Sequence, residues 1–573
     1  MNILGISCYY HDSAACLVKD GIPVIALQEE RFNRTKNSPD FPIQAINHCI
    51  QAAGLSFYDI DYIAFYEKPY LKFSRVIIDH LKSYPFSIRN FLTTIPQWLQ
   101  DRLIFPLVLK REIGFEGEVH FIKHHLSHAA SSFLVSPFDE AAILTADGVG
   151  EWATTTYGKG KDRRIQILKE MRYPDSLGLL YSAITSYLGF RANRGEGKTM
   201  GLASYGQPRY LQKLNEIIRV KSDGSIKLDK RYFAFNKGRK MYSRRFIKEF
   251  GPERKPEAEI GERHCDIAAS MQIFVEEVLV TIAKRIYEDT RLDNLCLAGG
   301  LFLNCVANQR IVEETPFKQV FIQPAAGDSG GALGAACYVN NVLFNNPRNY
   351  IMENAYLGNE YSDAQIKRAL SSIRFKSQYL DERSLCNKIA EALFQNKIVG
   401  WFQGKMEFGP RALGNRTILA NPCRSEIKDI LNSRVKKREP FRPFAPIVLE
   451  EKAGEYFELQ QHSPFMLFAP RVRENKKEIL PGITHVDGTA RVQTLSKPQN
   501  PMLYSLIENF ESLSGVPVLV NTSLNLRGEP IACSPKDALS CFERSEMDLL
   551  VIGNWVVEDI VVKALPYFKN GRR

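Results

Sequence analysis

Two histidines four residues apart, His124 and His128 in the stretch KHHLSHAA, are the residues whose types and spacing point most directly to chemistry. Residues at positions i and i+4 lie one turn apart on the same helix face, so two imidazoles can reach one cation. A zinc protease would carry glutamate directly after the first histidine, but His125 stands there, which excludes that class. The pair therefore predicts a different metal site.

Two aspartates are candidates to complete this site. Asp147 lies in the Asp-Gly turn TADGVGE, and Asp328 lies in the small-residue segment GDSGGALGAA. Two imidazoles and two carboxylates with open positions suit a divalent transition metal such as iron(II), manganese or zinc better than calcium or magnesium. On spacing alone, a pair of exposed polar histidines is the more common case, so the metal prediction depends on these neighbours.

The elements that must position these residues predict an α/β protein. The first 30 residues read as three strands, NILGIS, AACLV and PVIALQEER, with His11 and Asp12 in the first turn. A similar strand–turn–strand unit begins at Ala141, in AAILTADGVGEWATTTYGKGKDRRIQILKEM. Two such units, each followed by helical stretches, predict a duplicated domain with a cleft between its halves, although so short a repeat also arises by coincidence.

Glycines that follow an apolar strand predict a nucleotide site. The strand NLCLAGG ends in Gly299 and Gly300 and precedes Asn304, and Gly327 and Gly330 lie around Asp328. Glycine lets the backbone approach a ligand closely, and a helix N-terminus offers N–H groups to phosphate. This segment lacks G-x-G-x-x-G, and EGKT at 196–199 does not complete a Walker A sequence. The glycines and Asp-Gly turns resemble the actin, hexokinase and heat-shock-protein ATPase superfamily, whose ATP lies in the inter-lobe cleft.

Length and composition limit the class of protein. A chain of 573 residues exceeds one hydrophobic core, and the polar stretch after Phe344 predicts a boundary between domains over 1–350 and 351–573. We expect a cytoplasmic protein without membrane contact, because there is no basic signal region and LLVIGNWVV is too short to span a bilayer. Eleven scattered cysteines predict no disulfide framework. The net charge of +11, without stacking aromatics beside the basic clusters, favours small anionic substrates over nucleic acid.

Basic residues of the second domain lie in turns rather than along helices. They occur in FGPRALGNRTILANP, KKREPFRPFAP, DGTARVQT and NTSLNLRGEP. Guanidinium forks suit the oxygens of a phosphate, and each charge-assisted bond contributes roughly 1.5–3 kcal/mol. We therefore predict a phosphate pocket built from Arg411, Arg416, Lys436, Arg442, Arg491 and Arg527.

These segments, with YYHDSAACLV, QEERFNRTK and EGKTMGLASYG, resemble the O-carbamoyltransferases of the nodulation and antibiotic-biosynthesis type (the NodU/CmcH family) over nearly the whole chain. The resemblance implies a first domain similar to tRNA threonylcarbamoyl-transferring ATPases and a second similar to YrdC-like carbamoyl-adenylate synthases. It also implies two reactions. Carbamoyl phosphate and ATP give carbamoyl-adenylate, phosphate and pyrophosphate, and the carbamoyl group then passes to an acceptor hydroxyl.

The resemblance implies roles for individual residues. His11 matches the candidate general base, and a metal, iron(II) first, is held by His124, His128, Asp147 and Asp328, with magnesium accompanying ATP. The residues that match the carbamoyl phosphate and nucleotide site are Arg411, Lys436, Arg442, Arg491, Asn525 and Arg527. Lys437, next to Lys436, is an alternative for that lysine.

Three other functions stay open at this point. A sugar-kinase-like phosphotransferase would use the first domain alone, and a tRNA threonylcarbamoyl transferase would add a wide basic face. A nucleotide switch like the heat-shock ATPases would leave His11 and the histidine pair without a role. The acceptor is equally open, since an aminoglycoside, a macrolactam, a nodulation oligosaccharide or another alcohol fits the sequence, and so is the oligomeric state.

Overall fold

The structure, a computed structural model, describes residues 1–235, 240–371 and 375–558. The strands are β1 (Asn2–Ser7), β2 (Ala14–Lys19), β3 (Ile22–Gln28), β4 (Tyr62–Phe65), β5 (Glu118–Phe121), β6 (Glu140–Ala146), β7 (Ala153–Lys161), β8 (Arg164–Arg172), β9 (Ile218–Val220), β10 (Ile226–Leu228), β11 (Asn294–Ala298), β12 (Gln319–Ile322), β13 (Lys376–Tyr379), β14 (Val399–Phe402), β15 (Arg416–Ala420), β16 (Ala445–Leu449), β17 (Gln493–Leu495), β18 (Val518–Ser523), β19 (Leu549–Ile552) and β20 (Trp555–Glu558). The helices are α1 (Glu30–Asn33), α2 (Ile43–Ala52), α3 (Pro69–Lys82), α4 (Ile88–Gln97), α5 (Phe105–Ile113), α6 (His124–Phe133), α7 (Leu177–Tyr187), α8 (Glu196–Ala203), α9 (Leu211–Ile217), α10 (Arg244–Phe250), α11 (Glu262–Thr290), α12 (Cys305–Glu314), α13 (Asp328–Tyr338), α14 (Asp363–Leu370), α15 (Glu382–Phe394), α16 (Ile427–Ile430), α17 (Ala453–Tyr456), α18 (Pro501–Ser514) and α19 (Pro535–Glu543).

The first two large sheets have the same topology. The first has the order β3-β2-β1-β4-β5, and the second has the order β8-β7-β6-β11-β12. In each sheet the first three strands form an antiparallel meander and the last two run parallel to the first strand. This repetition confirms the predicted duplicated α/β domain. The turns after β1 and β6, which carry His11 and Asp147, occupy equivalent positions in the two halves.

Helices α6 and α13 lie between these two sheets. Helix α13 packs on β1 and β2, α6 packs on β6 and β11, and the two helices pack on each other. A Cβ atom on Gly334 would lie 1.9 Å from the carbonyl oxygen of Ser127, and one on Gly5 would lie 2.0 Å from that of Ala332. The small residues of GDSGGALGAA therefore let α13 approach both a strand and a helix. This packing brings the start of α13 against the histidines of α6.

The third sheet has eight strands in the order β13-β20-β19-β14-β15-β18-β16-β17. Two apolar clusters cover its faces, one around Leu431, Val448 and Phe542 and the other around Trp401 and Phe510. The cluster of the first two sheets also includes Phe408, Ala445 and 465–468. The two parts of the chain therefore share packed apolar surface, which fixes the site between them.

Several local expectations are confirmed. The predicted strands appear as β1, β2, β3, β6 and β11. After Asp266 the sequence carries an apolar residue at every third or fourth position, which predicts a core-facing helix, and this stripe lies on α11. The six residues of that stripe are all buried, namely Ile267, Met271, Phe274, Val278, Ile282 and Ile286. Among the residues that the structure describes, no helix has both the length and the apolar composition needed to cross a bilayer.

Candidate functional site

The two histidines of α6 lie side by side in the interior. The Nε2 atoms of His124 and His128 are 3.1 Å apart, and both side chains are almost fully buried. Helix α6 begins at His124, whose backbone N–H donates to the carboxylate of Glu151 at 3.0 Å. The same carboxylate accepts the backbone N–H of Lys68 at 2.8 Å. Glu151 therefore holds the start of this helix against the loop before α3, a role that its sequence context did not predict.

The neighbouring His125 has a different task. Its Nδ1 lies 2.7 Å from the hydroxyl of Thr145 on β6, and its Nε2 lies 3.0 Å from the carbonyl oxygen of Ala153 on β7. Burial, with the adjacent imidazole of His124, lowers the pKa of His125 to about 3. The ring is therefore neutral and fastens α6 to the second sheet, which leaves the other two histidines free to converge.

Two carboxylates face the histidine pair. Asp147 follows β6 directly, and its Oδ2 lies 3.1 Å from the Nε2 of His124. Asp328 is the first residue of α13, and its Oδ1 lies 3.7 Å from the Nε2 atoms of both histidines. One ligand atom from each of the four residues lies within 4.8 Å of the others. The structure thus brings together all four residues predicted as metal ligands.

The polar atoms of this cluster fit a cation. Both carboxylate oxygens of Asp328 are buried and have no hydrogen-bond partner among the described residues, and two imidazole Nε2 atoms face each other. Burial raises the pKa of Asp147, but hydrogen bonds from His124 and His128 outweigh burial and hold that pKa well below its usual range. Buried carboxylates with unsatisfied oxygens are costly unless a cation or several donors meet them. The donor set of two nitrogens and two oxygens suits a divalent transition metal.

His11 lies next to this cluster, in the turn after β1. Its Nδ1 is 2.9 Å from Oδ2 of Asp12, and the other oxygen of Asp12 accepts a hydrogen bond from Asn37 at 2.6 Å. Asp12 thereby fixes the ring, and the side chain lines the central cavity. Burial lowers the pKa of His11, but the charges of Asp328 and Asp12 raise it to about 10. A base must be neutral, so His11 can act as one only when a cation offsets these charges.

One cavity of about 360 Å³ joins the two parts of the chain. Its first wall includes His11, Asp147 and Gly327, beside the histidine cluster. Its second wall carries four arginines from the region of the third sheet, which are Arg411, Arg438, Arg442 and Arg491. Asp147 of the candidate metal cluster and the cationic wall therefore face the same space.

The four arginines of this wall lack carboxylate partners. None of them pairs with a carboxylate within 4.0 Å among the described residues. The Nε atoms of Arg411 and Arg491 are buried without a partner, and Arg411 donates to the carbonyl oxygen of Leu303 at 3.2 Å. Burial, together with the nearby charge of Arg491, lowers the pKa of Arg411 to about 9. Like charges gathered without a directly paired carboxylate indicate a site for an anion with several oxygens.

The structure separates the predicted phosphate-binding residues into two groups. Arg411, Arg442, Arg491 and Asn525 line the cavity. Lys436 does not, because its Nζ is buried and donates to the carbonyl oxygen of Ser523 at 2.6 Å and to Oδ1 of Asn525 at 2.7 Å. This lysine supports the cavity wall instead of facing the ligand space.

Three further predicted residues lie away from the cavity. Lys437 is exposed, and Arg416 is fully buried, with its guanidinium on backbone carbonyl oxygens that include that of Gly404 at 3.0 Å. Arg527 is 42% exposed and pairs with Glu257 at 2.7 Å. Sequence position alone does not distinguish arginines that face a cavity from those that hold a loop or extend into solvent.

Other basic residues of the cavity were missed. The lining includes Arg31, Lys36, Arg194, Lys198 and Arg438. Lys36 is in QEERFNRTK and Lys198 is in EGKTMGLASYG, two segments that carried the family resemblance without an assigned role. Burial lowers the pKa of Lys36, which shows how desolvated this wall is. The sequence signal that could have identified Lys36 and Lys198 was their position in segments that carry the family resemblance.

The predicted glycines also divide by role. Gly300 and Gly327 line the cavity with Asn304, and the N–H of Gly300 donates to Oδ1 of Asp147 at 3.0 Å. Gly299 has a φ of +103°, and its Cβ would lie 2.2 Å from the carbonyl oxygen of Ala146. A Cβ on Gly330 would lie 2.2 Å from the carbonyl oxygen of Ala325. These last two glycines allow close backbone packing and do not line the cavity.

The chain belongs to the carbamoyltransferase family, as its resemblance predicted. The carbamoyltransferase N-terminus model matches residues 2–337, and the carbamoyltransferase C-terminus model matches residues 390–559. The match gives the class of reaction, the transfer of a carbamoyl group, and includes the residues of both cavity walls.

Curated relatives share most of their length with this chain. An uncharacterised protein of Synechocystis is 46% identical, over 97% of this chain and 96% of that protein. Nodulation protein NolNO of Sinorhizobium fredii is 37% identical, over 96% of this chain and 79% of that protein. A 3'-hydroxymethylcephem-O-carbamoyltransferase of Amycolatopsis lactamdurans is 32% identical, over 77% and 81%. Among solved structures, component A of an Acidaminococcus fermentans (R)-2-hydroxyglutaryl-CoA dehydratase aligns with 59% of this chain and 97% of its own, at 13% identity and a TM-score of 0.32.

Proposed function

We propose that this carbamoyltransferase is ATP-dependent and transfers the carbamoyl group to the hydroxyl of a small natural product or glycan. The observation that carries the proposal is a cavity that has His11 and Asp147, one residue of the histidine–aspartate cluster, on one wall and arginines without a carboxylate partner within 4.0 Å on the other. Such a cavity can bind a polyanion and a reacting alcohol together. One of the relatives is a 3'-hydroxymethylcephem-O-carbamoyltransferase, which supports a hydroxyl acceptor.

The first reaction consumes carbamoyl phosphate, ATP and one water, and releases phosphate, pyrophosphate and carbamoyl-adenylate. The arginine wall supports this step, since Arg411, Arg442 and Arg491 line the cavity and have no carboxylate oxygen within 4.0 Å among the described residues. Charge-assisted bonds to phosphate oxygens would relieve the repulsion among them. We assign this step to a second domain over 351–573, which would be YrdC-like.

The second reaction transfers the carbamoyl group within a first domain over 1–350. The acceptor hydroxyl attacks the carbamoyl carbon, the bond to the adenylate oxygen breaks, and AMP leaves. We propose that His11 takes the hydroxyl proton at Nε2, while its Nδ1 stays bonded to Asp12. His124, His128, Asp147 and Asp328 would hold a divalent metal, iron(II) first or else manganese or zinc, which supplies positive charge at the adenylate phosphate. Magnesium would accompany ATP.

The glycine-lined part of the cavity would receive the nucleotide. Gly300 and Gly327 leave room beside Asp147 and Asp328, and Asn304, whose side-chain oxygen caps α12, lines the same part of the cavity. A cytoplasmic location fits the eleven cysteines, all of which carry free thiols. The family match does not favour a sugar kinase, a tRNA-modifying enzyme or a nucleotide switch.

The test follows each half-reaction separately. The protein is incubated with carbamoyl phosphate and ATP, with and without a panel of alcohols, and nucleotides are resolved by chromatography. We expect AMP and pyrophosphate, together with a carbamoyl gain on one alcohol by mass spectrometry. ADP with a phosphorylated alcohol would establish a kinase instead, and transfer to tRNA alone would establish the nucleic-acid alternative.

A further inference from the structure

Helices α3 and α4 form a helical hairpin that extends between β4 and β5. The rings of Phe73 and Trp98 contact at 5.6 Å between centroids, and those of His80 and Phe91 contact at 5.4 Å. Tyr70 donates to the carbonyl oxygen of Leu103 at 3.2 Å. Residues early in α3 contact residues just after α4, and residues late in α3 contact residues early in α4. The two helices therefore run antiparallel. The inner side of α3 carries Lys72 and Arg75, which are buried against the rest of the protein.

The outer side of this hairpin is unusually apolar. It and the start of α5 contain eleven of the twenty-four exposed large hydrophobic residues in the described chain. These are Tyr70, Leu71, Ile78, Leu81, Tyr84, Phe86, Ile88, Leu92, Leu99, Ile104 and Leu107. Of the twenty exposed residues over 70–107, only Lys82 and Arg89 are charged. Depletion of charge with enrichment of large apolar side chains is typical of the core of a homodimer interface.

The exposed residues follow the spacing of a helical seam. On α3 the exposed positions Leu71, Ser74, Ile78 and Leu81 are separated by three, four and three residues. From α4 into the next turn, the exposed Ile88, Leu92 and Leu99 and the half-buried Ile95 are separated by four, three and four residues in the order 88, 92, 95 and 99. This alternation is the a/d pattern with which one helix packs against another. A seam of this kind is complementary to helices, which distinguishes it from scattered surface hydrophobics.

Both seams lie on one face of the hairpin. Phe73 and His80 on α3 and Phe91 and Trp98 opposite make the contact between the helices. At about 100° per residue, the seam is rotated from this contact by about 130° on α3 and about 80° on α4, in the same sense along the chain. Because the helices are antiparallel, rotations in the same sense bring the seams to the same side. The face is therefore a pair of parallel apolar ridges on the side of α3 away from the buried Lys72 and Arg75.

The size of the face fits a specific interface. The eleven side chains are 36% to 73% exposed, so together they present on the order of 1,000 Å² of apolar surface. The largest apolar patch of an ordinary monomer is roughly 300–600 Å², and one side of a standard protein interface is roughly 800 Å². With only two charged residues, both basic, the face offers little to attract an anionic membrane.

We propose that this face is the dimer interface of the protein, and that the α3–α4 hairpin packs on the same hairpin of a second copy about a twofold axis. Two antiparallel hairpins that meet through a/d seams form a four-helix arrangement, in which each seam finds an identical, complementary surface. The proposal does not depend on the acceptor or on the proposed function.

The test measures the mass of the full-length protein in solution. By light scattering after size exclusion, we expect twice the monomer mass of 65.2 kDa at micromolar concentration. The double variant Leu81→Glu, Leu92→Glu places four charges in the interface and should weaken dimerisation by at least about 100-fold. Both residues are exposed within one chain, at 70% and 67%, so the monomer should fold with an unchanged melting temperature under dissociating dilution.

A matched control places the same charge elsewhere. Leu513→Glu changes an exposed leucine at the end of α18, outside the hairpin, and should leave the dimer intact. A wild-type monomer at tens of micromolar would overturn the proposal, as would a dimer that the double variant leaves unchanged. A monomer that floats with vesicles of anionic phospholipid through these leucines would replace the dimer with a membrane surface.

Discussion

Arg491→Ala should damage the first half-reaction and leave the fold intact. Arg491 lines the cavity, its Nε has no partner, and burial lowers its pKa. One lost charge-assisted bond to a phosphate costs roughly 1.5–3 kcal/mol, or about 10- to 150-fold in kcat/KM. The assay is carbamoyl-phosphate-dependent pyrophosphate release from ATP. Arg411→Ala should behave alike, because the charges of the two arginines already interact within the protein.

The control for this prediction is Arg527, an arginine that the sequence places in the phosphate site and the structure places in solvent. Arg527 carries the same charge in a predicted phosphate segment, but it is exposed and paired with Glu257, so Arg527→Ala should change the rate less than about twofold. Loss of Arg491 also removes a buried, repelled charge, so the free energy of unfolding without substrate should not fall. If Arg491→Ala retains full activity, or if Arg527→Ala is the more damaging change, the arginine wall does not bind the phosphate.

Three further predictions concern the first domain. His124→Ala or Asp328→Ala should lose bound metal, measured by elemental analysis. Each variant should also lose carbamoyl transfer, while its pyrophosphate release largely survives. Full transfer by metal-stripped protein would show that the cluster is structural. His11→Asn should lower transfer by roughly 10²–10⁴-fold with pyrophosphate release nearly intact, and an equal loss of both activities would contradict a general base. In metal-free protein the pKa of His11 is raised to about 10, so its stabilising contribution is complete below about pH 6.5 and lost as the pH rises towards 10. In denaturant unfolding, the metal-free wild type should therefore lose on the order of 5 kcal/mol more stability across that range than His11→Asn does. The variant should keep a smaller loss, because burial lowers the pKa of His128 but Asp147 and Asp328 raise it to about 9. Parallel curves for the two proteins would contradict the assignment to His11.

Local patterns predicted much of the first domain. The alternating strands, the repeated Asp-Gly turns and the apolar stripe of α11 depend on near neighbours in sequence, and they appear as β1–β3, β6–β8 and α11. The convergence of His124 and His128 follows from helical spacing alone. The addition of Asp147 and Asp328 was predictable from residue chemistry, because each lies where a strand ends or a helix begins.

Tertiary structure decided which charged residues take part in the site. Glu151 holds the start of α6 from a turn 27 residues later, an interaction that no local spacing encodes. Lys436, Arg416 and Arg527 look equivalent to Arg491 in sequence, yet only Arg491 of these four faces the cavity. The direction of a side chain that leaves a loop depends on packing between distant segments, as when Asn525 and Ser523 accept the amine of Lys436.

The sequence by itself determined the family, the duplicated α/β plan and the four candidate metal ligands, because these depend on motifs and on short periodicities. Only the folded chain brings Asp147 of the cluster and the arginine wall to one cavity, since the cluster and the wall are separated by at least 83 positions, from Asp328 to Arg411, and meet through the shared packing of the two parts of the chain. Burial then sets the chemistry. Burial removes the hydration of the unpaired arginines and of the carboxylates, so that binding of an anion and of a cation becomes favourable. The same residues exposed to solvent would stay hydrated and would bind these ions weakly.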